Sequence, residues 1–164
     1  MSHTNPFKAQ RVTRTATLTL PAPPERVFPL FGPIREAEWA EGWQLNMIYS
    51  VSPLGEEVGA VFITQHPGEP DTIWLIMKFD AAAFIIEYAR VTPGLRIARV
   101  MIQCSAAGEG ETNAVVTYQF TALSEAGNAF IQGYSEEQYQ HMMDEWRAAV
   151  SHTLTTGGRL THHP

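Results

Sequence analysis

An arginine set between two phenols on one face of a sheet could hold an anionic oxygen, and this chain supplies the parts. Tyr88, Arg99 and Tyr118 fall in one cross-strand row if Thr92 stands opposite Leu95 and Ala106 opposite Glu111, because directly opposed residues of an antiparallel ladder share a face. With Phe79 opposite Phe84, the same face gathers Met77, Phe84, Arg90, Met101, Gln103 and Phe120. The opposite face receives Trp74, Ile76, Arg96 and Cys104. The first face is the more apolar and aromatic, and is the one expected inside. An Arg99 guanidinium there could anchor a carboxylate, enolate or phenolate on an otherwise oily ligand. It could also polarise a carbonyl while Tyr88 or Tyr118 donates a proton. The structural alternative is a stack of Arg99 on the tyrosine rings, paired with Asp144 or Glu145. A slip of one residue in any hairpin would turn that strand over.

Two further groups could do chemistry. Arg35, Glu36, Trp39 and Trp43 lie close together before the second strand. Their indoles could wall the mouth of an enclosed space, or pin short helices to the sheet while Arg35 and Glu36 form a local ion pair. His66 lies near Asp71, and His141 near Asp144 and Glu145; such a histidine is either a general base or a solvated surface group. His152, His162 and His163 have no closing partner at metal-ligand spacing, so no metal site is expected. There is no Ser-His-Asp order, glycine-rich phosphate loop or dinucleotide fingerprint, and no cofactor is expected.

The elements that must position these residues follow from periodicity. Residues 1–12 read as a loose arm. Thr13 to Leu20 alternates as a half-buried strand. Pro21 to Pro24 breaks it, and prolines suit the first turn of a helix over 25–31. Gly32 and Pro33 interrupt, and a second short helix is expected over 34–40. Six strands follow at 45–52, 58–66, 72–80, 83–92, 95–106 and 111–122, separated by turn chemistry. A further helical stretch is expected within 123–133. Ser135 with Gln138 three residues on marks a helix start. Tyr139, Met142, Met143, Trp146, Val150 and Leu154 then recur at helical spacing, and Gly157–Gly158 ends the helix. A long helix after a meander must lie across one sheet face, since both have an apolar side to hide. The domain is expected over 13–157, with a tail at 158–164.

Composition bounds the function. The chain has 164 residues and a formal net charge of −6, with 11 Lys+Arg against 17 Asp+Glu. That balance argues against a nucleic-acid surface or electrostatic docking on anionic lipid. The single cysteine allows no internal disulfide. Residues 1–20 lack the apolar core of a secretory leader, and the longest apolar run, Ala81 to Ile86, is far short of a membrane span. A cytoplasmic protein, monomeric or weakly dimeric, is expected.

The order of elements resembles the helix-grip or START-like fold of the SRPBCC superfamily, which includes polyketide cyclase/dehydrase-like proteins. The resemblance runs from about Thr13 to Gly157. Pro23-Pro24-Glu25-Arg26-Val27-Phe28 resembles the superfamily's opening, and Pro33-Ile34-Arg35-Glu36 through Trp39 to Gly42-Trp43 resembles a motif of one bacterial branch. It implies an α+β fold: a seven-stranded curved antiparallel sheet wrapped around a long C-terminal helix, with two short helices after the first strand. It also implies a hydrophobic tunnel between sheet and helix. On that footing Met142 and Trp146 of the helix join the expected lining, with Trp39 and Trp43 at its mouth. It implies no reaction, because the superfamily contains cyclases, hydrolases, carriers and receptors. The leading expectation is binding of a small hydrophobic molecule: a lipid, polyketide or aromatic metabolite. The alternatives are a cyclase/dehydratase-type enzyme using the same cavity, and a protein-interaction module of chaperone-activator type.

Overall fold

The structure, a computed structural model, describes residues 6–160. Its elements are β1 (Arg11–Leu20), α1 (Pro24–Val27), two 3-10 turns (Phe28–Phe31 and Arg35–Glu38), β2 (Leu45–Tyr49), β3 (Val61–Thr64), β4 (Thr72–Asp80), β5 (Ile85–Thr92), β6 (Arg96–Ala106), β7 (Thr112–Ala122), α2 (Glu125–Gly133) and α3 (Glu136–Thr156). The strands form one antiparallel sheet in the order β1-β7-β6-β5-β4-β3-β2. The meander β2 to β7 is closed by β1 on the far side of β7, and the sheet curves around α3. Among the described residues no helix is long and apolar enough to cross a membrane.

The ends are fixed by capping and by one asparagine. Ser135 Oγ accepts from Gln138 N at 3.0 Å, and Gly157 closes α3 in the left-handed region at φ 77. The apolar stripe of α3 buries Tyr139, Met143 and Val150 against the sheet, with Met142, Trp146 and Leu154 half-buried beside them. Asn128 of α2 accepts from Gln10 N at 2.8 Å and donates to Lys8 O at 2.9 Å. The chain is therefore held from Lys8, and β1 starts at Arg11 where the alternation suggested Thr13.

Three hairpins differ from the expected register: β5–β6 and β6–β7 by one residue, and β4–β5 by two at its turn and by one beyond the irregularity at Ile76 and Lys78. Pro93 cannot take the positive φ that a two-residue hairpin turn needs at its first position. It begins instead a Pro-Gly turn with Gly94 at φ 77, closed by Leu95 N donating to Thr92 O at 3.0 Å. Leu95 is looped out, and Thr92 pairs with Arg96. Between β6 and β7 the loop also takes one more residue, so Ala106 pairs with Thr112. Between β4 and β5, Asp80 Oδ1 accepts from Ala82 N and Ala83 N, Phe84 turns at φ 58, and the ladder opens at Asp80 with Ile85.

The first two changes each invert a face, so they cancel at β7 and leave β6 alone turned over. Residues 72–76 of β4 are inverted too, up to an irregularity in the ladder between Ile76 and Lys78. The inner face therefore carries Thr72, Trp74 and Ile76 of β4, and Arg96, Ala98, Val100, Ile102 and Cys104 of β6, all buried. Burial also pushes the Cys104 thiol up to about 12, which leaves it an inert core group.

Candidate functional site

Arg99 is not in the interior. Its side chain is 52% exposed on the convex face, where Nη2 meets Glu87 Oε1 at 3.2 Å. Gln103 and Met77 are exposed as well, and Met101 is half-buried on the same outer face. All four follow from the inverted register of β6 and the irregularity in β4. Phe84 belongs to the hairpin tip, edge-on to Phe28. Tyr88, Tyr118 and Phe120 do point inward as expected, with Tyr88 and Tyr118 on either side of Val100.

An interior cation without an ion-pair partner among the described residues is Arg90, two residues from Tyr88 on the same face of β5. Its cross-strand partner is Trp74, and its guanidinium carbon lies 4.7 Å from that ring's centroid and 5.9 Å from Phe120's. It makes no hydrogen bond or ion pair with any described residue. The surrounding wall is aromatic. Phe62 stacks on Trp74 at 5.4 Å, Trp43 meets both edge-on, and Tyr88 stands edge-on to Trp74 at 5.5 Å.

Glu36 joins it from the second 3-10 turn. Its neighbour Arg35 turns outward to Glu38 at 2.8 Å, so the expected Arg35–Glu36 pair is replaced by Arg35–Glu38. Trp39, on the other side, is buried and donates Nε1 to Leu30 O at 2.6 Å, while Trp43 donates to Pro33 O at 2.9 Å. These bonds fix the turn, with the Glu36 carboxyl directed to the interior. Burial pushes that carboxyl up to about 8, against the opposing pull of Arg90. It is thus largely the neutral acid at neutral pH. Burial likewise raises the Tyr88 and Tyr118 phenols, which feel Glu36 in turn.

Several of these polar groups keep accessible surface. Among the described residues, the side-chain polar atoms both sealed and unbonded are Arg14 Nε and Arg96 Nε. The polar atoms of Arg90 and Glu36 and the Tyr118 hydroxyl are also unbonded, so each must keep accessible surface. Arg90 and Glu36 are half-buried by area, yet burial is the largest cause of both pKa shifts. That combination describes a recess walled by protein. Tyr88, by contrast, spends its hydroxyl on Phe31 O at 2.8 Å.

Two features border the recess. A cleft of about 240 Å³ is lined by Trp39, Met142, Trp146 and Leu160, among others. The Trp146 ring lies 5.2 Å from Trp39 and 6.1 Å from Tyr118, reaching from cleft to recess. On the other side, Trp74 Nε1 donates to Thr64 Oγ1 at 2.9 Å, and Thr64 Oγ1 lies 3.1 Å from His66 Nε2. Burial first, and then Arg90, holds His66 below its usual pKa. His66 is thus tied to this wall and not to Asp71. His141 is 78% exposed and faces Glu145 at 3.4 Å. Arg96, expected outside, is buried, forked onto Glu69 at 2.9 and 3.0 Å and lying 3.9 Å over Phe130.

Arg90 was within reach of sequence reasoning, since it shares strand and parity with Tyr88. Its selection depended on the turn chemistry of Pro93–Gly94. Glu36 carries no such signal, because a single 3-10 turn has no periodicity to show which side chain faces in.

No protein-family model and no curated protein matches the sequence. Solved structures do match in shape. Norcoclaurine synthase from Thalictrum flavum, in complex with dopamine and hydroxybenzaldehyde, is 12% identical with a TM-score of 0.64, over 90% of this chain and 88% of that one. The Zhui aromatase/cyclase from Streptomyces sp. R1128 is 14% identical with a TM-score of 0.62, over 93% and 100%. Ara h 8.0201 is 15% identical with a TM-score of 0.63, over 90% and 100%. With this sheet order and C-terminal helix, the chain has the helix-grip, START-like fold.

Proposed function

We propose that this protein binds a small, ring-bearing apolar molecule in the recess between sheet and helix. The observation that carries the reading is Arg90, an unpaired guanidinium with accessible surface inside an aromatic wall. An interior built only for packing would pair such a charge or replace it, because an unmatched buried cation is costly. Flat aromatic walls with a few convergent polar groups are the usual makeup of a small-molecule site. The solved structures of this shape include one in complex with dopamine and hydroxybenzaldehyde, which supports a small-molecule reading. Native mass spectrometry of protein purified from its source tests the reading: a retained molecule of a few hundred daltons supports it. Protein that carries nothing, and whose tryptophan emission no aromatic compound alters, would sink it.

A second reading, an enzyme of cyclase or dehydratase type, is favoured by Glu36. A carboxyl kept neutral can donate a proton, and Arg90 in the same recess can hold the oxyanion that develops on a carbonyl. Turnover lost in both Glu36→Gln and Arg90→Met would distinguish catalysis from carriage.

A further inference from the structure

We propose that the recess selects a monoanionic aromatic acid, its carboxylate or equivalent oxyanion forked on Arg90 and within reach of the Glu36 carboxyl and the free Tyr118 hydroxyl. The inference rests on the binding reading above and names the ligand class.

Three observations carry it. First, Arg90 is the unmatched charge of its neighbourhood. The nearby Glu69 carboxylate is held by Arg96 through two hydrogen bonds, so it makes no pair with Arg90. A ligand that brings one negative charge removes the penalty of a lone guanidinium, and a neutral ligand of equal shape does not. Second, the geometry leaves the fork free. Trp74 takes the guanidinium by its π face at 4.7 Å, while the in-plane N–H donors have no described partner. Those donors match the two oxygens of a carboxylate. Third, the remaining polar groups suit one anion and not two. Tyr118 and a protonated Glu36 are donors to an oxygen, but a second negative charge would meet no second unpaired cation there among the described residues, Arg96 being held by Glu69. The rings of Tyr118 and Phe120, tilted against each other at 5.7 Å, offer apolar walls for the ligand's own ring.

The test uses two probes of one shape, 2-naphthoate and 2-naphthamide, titrated calorimetrically into the full chain at neutral pH. The expected result is a preference for the acid of roughly tenfold or more, the scale of one charge-assisted fork. Arg90→Met should bring the two probes to equal affinity, and Arg90→Lys should restore part of the preference. Equal binding of both probes to the unaltered protein would overturn the anion anchor while leaving the binding reading intact. Binding of neither would overturn both. Because the wild-type comparison alone is decisive, the test does not depend on any variant folding. A preference that survives in a folded Arg90→Met protein would place the anchor elsewhere and defeat the assignment.

Discussion

Arg90 and Trp74 face each other across the β4–β5 ladder, and the guanidinium of one lies over the indole of the other at 4.7 Å. A cross-strand neighbour normally spends an arginine on a carboxylate. Here the charge is met by a π face, which leaves its hydrogen-bond donors free in the interior.

That arrangement predicts a cost in stability. Arg90→Met replaces an unpaired charge with an apolar chain of similar reach. The variant is expected to melt at the same temperature or higher, by roughly 2–4 °C for each kcal/mol recovered. Scanning calorimetry without ligand measures it. A fall of more than about 5 °C would show that the cation–π contact outweighs the burial penalty.

Glu36 predicts a pH dependence of defined sign. The folded chain holds this proton to about pH 8, whereas an unperturbed carboxyl releases it near 4.5. Between those values the folded state binds more protons than the unfolded one, so this group's contribution falls as pH rises through the window and levels above it. In Glu36→Gln that component is absent. Urea titrations at about pH 5 and about pH 8 should show the variant gaining on wild type at the higher pH. A constant difference would refute the raised carboxyl.

Glu69→Gln should be strongly destabilising. It strips the partner from Arg96, whose side chain is 8% exposed, and a charge left buried costs on the order of 3 kcal/mol. Glu69 itself is held below the usual carboxylate range by the Arg96 hydrogen bond. Its contribution is therefore present above that range and lost as pH falls through the folded value. Chemical denaturation at neutral pH and in acid separates the two effects.

Arg99→Met, by contrast, should change stability by less than about 0.5 kcal/mol and leave binding of either naphthalene probe untouched. Its pair with Glu87 is exposed, and solvent screens it. A large loss of ligand affinity in this variant would return the site to the outer face.

Gly127→Ala tests how α2 seats on the β5–β6 turn. A Cβ at Gly127 would lie 1.9 Å from the Leu95 carbonyl oxygen, a backbone atom already accepting from Leu123 N at 2.8 Å. The backbone must move, at a cost of about 2 kcal/mol or more. Thermal unfolding reads it directly.

The fold was legible because its signals are long-range periodicities and turn residues. Seven strands, two short helical turns and a capped C-terminal helix all stand where the pattern put them, within a few residues. The site was only half legible, and the reason lies in parity. Tyr88 and Tyr118 are separated by two hairpins whose errors cancel, so both were placed inward; Arg99 sits between them and takes the uncancelled error. The composition of the faces gave no warning, because the outer face is itself apolar in places, with Ile73, Leu75 and Ile97 each about two-fifths exposed. Pro93 held the information that hydrophobicity lacked.

The bonds that hold Trp39 to Leu30, Trp43 to Pro33 and Thr153 Oγ1 to Glu38 O have a consequence for traffic. They bolt the acid's turn to the neighbouring backbone and to α3, so Glu36 behaves as part of the doorframe. If the recess takes a ligand as proposed, a fixed turn would leave its entry to the movement of side chains such as Met142 and Trp146, which line the neighbouring cleft.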